Sequence, residues 1–197
     1  CAQYTMPHEE SAHEGTWLQW PHNYTYGSGA EDVESSWVAM TEALSGGERV
    51  HIVAYNAEEV GHITNLLQGA DIDMGQVDFQ ICPNDDFWVR DNGPIFVHND
   101  QDEWVVLDWG FNGWGGDTPF ALDDAVPSTL SENLNIPVVD LSAMVLEGGA
   151  IEVDGQGTLM ATRSSITGDD RNPGLTETEI EAYLSQYLGV QQIIWLD

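Results

Sequence analysis

Two carboxylates stand at matching places in this sequence. Asp91 lies within "NDDFWVRDNGP" (Asn84–Pro94) and Glu147 within "LEGGAIEVDGQGTLMAT". Each is two residues ahead of a glycine, Gly93 or Gly149, that opens a hairpin pattern. The chain contains no Lys, and its four arginines are Arg49, Arg90, Arg163 and Arg171. Neither carboxylate is then expected to be neutralised from within. Both are candidates to hold a cation from outside through charge-assisted hydrogen bonds. Arg90, beside Asp91, is expected to pair with another nearby acid and stiffen the loop. In an extended segment it points away from Asp91, because neighbouring side chains alternate there. Trp88, three residues before Asp91, either walls a pocket or is plain packing.

These acids need a scaffold to position them, and the pattern alternates strands with helices. "RVHIVAY" (Arg49–Tyr55) reads as a buried strand, and Val33, Trp37, Met40 and Leu44 share one face of the helix before it. A second helix runs from an N-capping Asn56 to a stop at Gly69, followed by a strand at Val77–Ile81. Hairpins at Gly93–Trp109 and Gly149–Arg163 each follow a strand, Val77–Ile81 or Pro137–Leu141. Each also precedes a helix: Ala121–Asn133 after the first, and "TETEIEAYLSQYL", with Thr176 and Glu179 as a capping box, after the second. Gly149 follows Gly93 by 56 residues (149 minus 93), a spacing that marks a repeat architecture with its core between units. "VQQIIWLD" (Val190–Asp197) then reads as the unpaired opening of a third unit, and the pattern predicts a further acidic loop and hairpin after Asp197. The glycine-rich "WGFNGWGG" (Trp109–Gly116) lacks the spacing of a phosphate-binding loop.

Composition narrows the function classes. A chain of 197 residues, 42% hydrophobic, is long enough for one substantial core. Thirty-four acidic residues and a net charge of −30 exclude a nucleic-acid partner, because a polyanion is repelled. Most acids fall in scattered surface-like segments such as "AEDVESS", which reads as a solvated coat suited to high salt. Self-repulsion is then relieved by screening, so the melting temperature should rise between dilute buffer and molar potassium chloride; a flat or falling value counts against the coat. No apolar run approaches the ~18 residues of a membrane span. Cys1 and Cys82 make neither a disulfide framework nor a metal cluster, and no metal or cofactor is expected. Cys82, at a strand end, reads as a small buried apolar side chain. A cytoplasmic location is the expectation, with Cys1 leaving an exported or lipid-anchored form open.

Four motifs occur in order: "MPHEESAHEGTWLQWPHN", "NDDFWVRDNGPIFV", "DWGFNGWGG" and "LEGGAIEVDGQGTLMAT". They resemble the agmatine deiminases, which belong with the bacterial-type peptidylarginine deiminases in the guanidine-modifying superfamily. The resemblance extends from Met6 to Leu196. It implies an α/β propeller, with ββαβ units around a pseudo-fivefold axis, of which residues 1–197 form the N-terminal part of a single domain. It implies hydrolysis at a guanidinium carbon, agmatine and water giving N-carbamoylputrescine and ammonia, on the way to putrescine. Asp91 and Glu147 match the family's two guanidinium-binding carboxylates, a rigid anionic cradle for a planar cation.

By the same resemblance, Trp17 and Trp20 match a loop that lines the site, against the substrate's aliphatic linker or stacked on its guanidinium. One of them, with Trp17 the candidate, is expected to be simply core. The family's Cys nucleophile and His proton shuttle come from later repeats and have no match here; Cys82 does not fit the nucleophile's motif. The implied partner is a small cationic guanidine, joined by a completing C-terminal segment or by further copies in a homo-oligomer. Two alternatives remain: a peptidylarginine deiminase of the same family, and a non-catalytic guanidinium-binding or assembly relative.

Overall fold

A computed structural model gives the fold over residues 4–25, 29 and 32–197. In chain order its first elements are β1 (Tyr4–Thr5), β2 (Gly15–Gln19), α1 (Glu34–Ser45), β3 (Arg49–Ala54), α2 (Ala57–Gly69) and β4 (Val77–Ile81). Then come β5 (Ile95–Asn99), β6 (Trp104–Gly110), α3 (Val126–Leu134), β7 (Val138–Val145), β8 (Ile151–Val153), β9 (Thr158–Thr162), α4 (Glu177–Leu188) and β10 (Gln192–Leu196). Contacts divide the chain into two compact units, Ala12–Val89 and a discontinuous one joining the residues up to Ser11 with Arg90–Asp197. No helix among the described residues is long and apolar enough to cross a membrane.

The Ala12–Val89 unit is a parallel sheet in the order β2-β3-β4. Val50, Ile52, Val53 and Ala54 of β3 are all fully buried, as a parallel strand covered on both faces requires. The Asn56 side chain caps α2 by accepting from the Glu59 amide at 2.9 Å. Gly69 falls inside the helix rather than ending it, and the stop comes at Ala70. The packed face of α1 also differs from the expected one. Trp37, Val38 and Leu44 pack on the core and Thr41 is buried, while Met40 is 38% exposed. The Trp37 indole donates to the Gln19 carbonyl at 2.8 Å, which turns Thr41 rather than Met40 towards the sheet.

The second unit holds two sheets of related connectivity. In one, β5 and β6 form an antiparallel hairpin, α3 crosses over, and β7 returns parallel to β6; β1 adds antiparallel to β5. In the other, β8 and β9 form the hairpin, α4 crosses over, and β10 returns parallel to β9. Both are strand-strand-helix-strand units, and the two hairpins sit in different sheets. Their tips are built alike. The Asn99 side chain accepts from the Gln101 and Glu103 amides, and the Asp154 side chain accepts from those of Gln156 and Thr158. The expected capping box is formed at the start of α4. The expectation of an unpaired opening strand after Val190 is corrected, because Gln192–Leu196 lies in register along Thr158–Thr162 and closes the second unit. Leu107, Met144, Leu159, Ile180 and Leu184, all fully buried, anchor this unit's core.

Candidate functional site

The two acids occupy equivalent places in the two related units. Asp91 sits in a single helical turn, Val89–Asn92, four residues before β5 begins at Ile95. Glu147 precedes a 3-10 turn, Gly148–Ala150, four residues before β8 begins at Ile151. Both line one cavity of about 410 Å³, together with Trp114, Glu152, Met160 and Arg171. The loops meet closely because Gly148 and Gly149 have no side chains. A Cβ at Gly149 would stand 2.2 Å from Asp91 Oδ1, and one at Gly148 would stand 2.3 Å from the Arg90 carbonyl oxygen.

Each carboxylate has one oxygen engaged by this unit. Asp91 Oδ2 accepts from the Trp114 indole N–H at 3.1 Å. Trp114 reaches it from a tight loop in which Gly113, Trp114, Gly115 and Gly116 all have positive φ (64°, 57°, 97° and 88°). For tryptophan that conformation is strained, and Phe111 braces the indole edge-on at 5.1 Å between ring centroids. Glu147 is 3% exposed. Its Oε1 accepts from Arg171 Nε at 2.6 Å, while its Oε2 has no hydrogen-bond partner among the described residues. Burial pushes the Glu147 carboxyl above the usual carboxylate range, the Arg171 guanidinium pulls it back down, and the charge of Asp91 pushes it up. A buried acceptor without a donor is costly, by roughly 1–3 kcal/mol or more for a charged group, unless a ligand satisfies it.

Two expectations are corrected here. The first held that nothing internal would neutralise the acids, yet Arg171 pairs with Glu147. Neither Lys count nor local pattern revealed this, because the partner is 24 residues downstream in a loop. The second concerns the Asp91 segment, where strand alternation applies only to an extended backbone. The segment is helical, so Arg90 is separated from Asp91 by rotation about a turn rather than by strand alternation. The Arg90 guanidinium does pair internally, with Glu9. Trp114 escaped the sequence reading altogether; its signal was a bulky residue inside a glycine run.

The aromatic candidates Trp17, Trp20 and Trp88 belong to the Ala12–Val89 unit. Trp20, not Trp17, is the fully enclosed one, its indole donating to Glu34 Oε1 at 2.8 Å. Trp17 is half-buried and stacks on His51 at 4.7 Å. Trp88 is 49% exposed and leans on Phe87 at 4.9 Å. Cys82 is 1% exposed, its thiol 3.7 Å from the Pro83 carbonyl. In the same unit Glu34, Glu59 and His62 place ligand-type atoms within 4.8 Å of one another. Glu34 Oε1 already accepts from Trp20 and lies 2.8 Å from His62 Nε2, so Glu34 and His62 engage each other.

The profile of the Porphyromonas-type peptidyl-arginine deiminases matches residues 5–197. The chain belongs to that family. Among relatives in this family, the agmatine deiminase of Pseudomonas aeruginosa (strain LESB58) is 36% identical over 199 aligned positions, covering 98% of this chain and 52% of that protein. The agmatine deiminase of Enterococcus faecalis, solved as it catalyses its reaction, superposes with a TM-score of 0.87 at 32% identity, covering 98% of this chain and 53% of that one. An agmatine deiminase of C. jejuni with substrate bound gives 0.84 at 26% identity, over 98% and 56% respectively. The chain thus has the mixed α/β fold of these deiminases and spans about half the length of the curated relatives it matches.

Proposed function

We propose that this chain is the N-terminal part of a single α/β-propeller domain, its ββαβ units set about a pseudo-fivefold axis. The full-length protein then hydrolyses agmatine to N-carbamoylputrescine and ammonia in the cytoplasm. The observation that carries the reading is the cavity shared by Asp91 and Glu147, where a buried Glu147 oxygen awaits a donor. A guanidinium is planar, cationic and rich in N–H groups, and two carboxylates from equivalent loops are suited to accept them. Trp20, with no exposed surface, acts only through the core of its own unit. The attacking thiolate and the proton-shuttling His lie outside this sequence in the same reading.

The test is ammonia release by the full-length protein from agmatine and from a peptide with an internal arginine. Turnover of agmatine alone is expected. The family's own description favours a second reading, a peptidylarginine deiminase, and turnover of the peptide would establish it. Release from neither rejects both. Residues 1–197 alone should release no ammonia, since loss of the nucleophile removes several orders of magnitude in rate. Release by that fragment, abolished by Cys82→Ser, would make Cys82 the nucleophile instead.

A further inference from the structure

Arg171 lines the cavity that Asp91 and Glu147 share. Its place is fixed from both sides. Next to it, Asn172 is 5% exposed; its side-chain amide donates to the carbonyls of Val145 and Ile166 and accepts from the Val145 amide, each at 2.9 Å. Val145 ends β7 two residues before Glu147, so Arg171 and Glu147 hang from one point on the sheet. On the other side, Arg171 Nη1 donates to Asp170 Oδ2 at 2.8 Å, and the Asn112 side chain donates to the Asp170 carbonyl at 2.8 Å. Gly115 leaves room for this, since a Cβ there would stand 2.8 Å from Arg171 Nη1. A planar guanidinium held this way meets Glu147 Oε1 at 2.6 Å and stops the carboxylate from turning. Oε2 is then the oxygen left over, buried and without a partner among the described residues.

We propose that Arg171 is a positioning residue of the guanidine site, which holds the buried Glu147 by a charge-assisted pair through Oε1 and presents its Oε2 alone to the substrate's guanidinium. The proposal rests on the deiminase reading. Arg171 does not touch the substrate; it acts through Glu147. The charged groups around Glu147 are Arg171, the opposing Asp91, Asp170 behind Arg171, and Glu152 in the cavity wall. Burial already raises the Glu147 carboxyl, and losing Arg171 raises it further. Cation binding needs the ionised form, so the defect must deepen as pH falls.

The experiment compares kcat/KM for ammonia release from agmatine between pH 6 and 9 in the full-length wild type, Arg171→Gln and Arg171→Lys. The ratio of variant to wild type cancels groups that titrate in both. For Arg171→Gln the ratio should fall with falling pH, by up to about tenfold per pH unit below the raised Glu147 value. For Arg171→Lys, which keeps the charge, it should stay level with pH at a loss of about tenfold or less. A purely structural role lowers both variants equally at every pH. A level ratio for Arg171→Gln, with an active wild type, overturns the proposal and leaves the agmatine reading standing. A wild type that releases no ammonia overturns both. Should Arg171→Gln show no cooperative melt, Arg171→Lys decides: normal melting with more than about a hundredfold loss at every pH also overturns it.

Discussion

In the full-length protein, Asp91→Asn is expected to lower kcat/KM for agmatine by roughly 30- to 1,000-fold while leaving the fold intact. That corresponds to about 2–4 kcal/mol, the scale of one charge-assisted partner lost from a desolvated pair. The variant keeps the shape, and its amide oxygen can still accept from the Trp114 indole, now 3.1 Å from Asp91 Oδ2. What disappears is a negative charge at the cavity wall, replaced by N–H groups that repel a cation. The change also removes the neighbour that pushes the Glu147 carboxyl up, so Glu147 is held ionised more firmly and offsets a little of the loss. Thermal melting checks the fold and steady-state kinetics the site. A folded variant with wild-type kinetics would remove Asp91 from the cradle.

Gly149→Ala should damage stability and activity together. The added methyl would lie 2.2 Å from Asp91 Oδ1 and 3.4 Å from Arg90 Cγ, where no Cβ can sit. Overpacking of this kind costs about 1–3 kcal/mol. To relieve it the Asp91 carboxylate has to swing out of the place it now holds, and a 1 Å misplacement of a binding group costs on the order of a hundredfold in rate. Gly174→Ala is the control, because nothing lies within 4 Å of a Cβ there. Calorimetric melts and agmatine kinetics of both variants settle the matter. If Gly149→Ala behaves like Gly174→Ala, the two loops are not locked as described.

The parts of this site that were legible in the sequence are those written in short-range pattern. The two hairpins, the two-residue offset of each acid from the glycine that opens its hairpin, the Asn56 cap and the Thr176 box all follow from neighbours in the chain. What stayed hidden depends on contacts between distant loops. Arg171 meets Glu147 only because Asn172 pins its loop to the end of β7, and no periodicity announces such a peg. Trp17 and Trp20 were ranked in the wrong order for a related reason. The strand β2 stands at the end of its sheet and its burial rises towards Gln19 without alternating, so the pattern gives no rule for choosing between them, and Glu34 on α1 draws the Trp20 indole inward.

The short strand β1 has a further consequence, for the order of assembly. Tyr4 and Thr5 pair with Asn99 and His98, and the Met6 amide bonds to the Leu188 carbonyl at 3.1 Å. On a ribosome adding about 5–20 residues per second, the 95 residues from Tyr4 to Asn99 (99 minus 4) take about 5–20 s to make. The whole Ala12–Val89 unit, with its own apolar cluster, emerges during that wait. Closing so long a loop adds little entropy cost, because the penalty grows only with the logarithm of length. Timing is the heavier constraint. A segment made before either hairpin stays without its second anchor until Leu188 has left the tunnel.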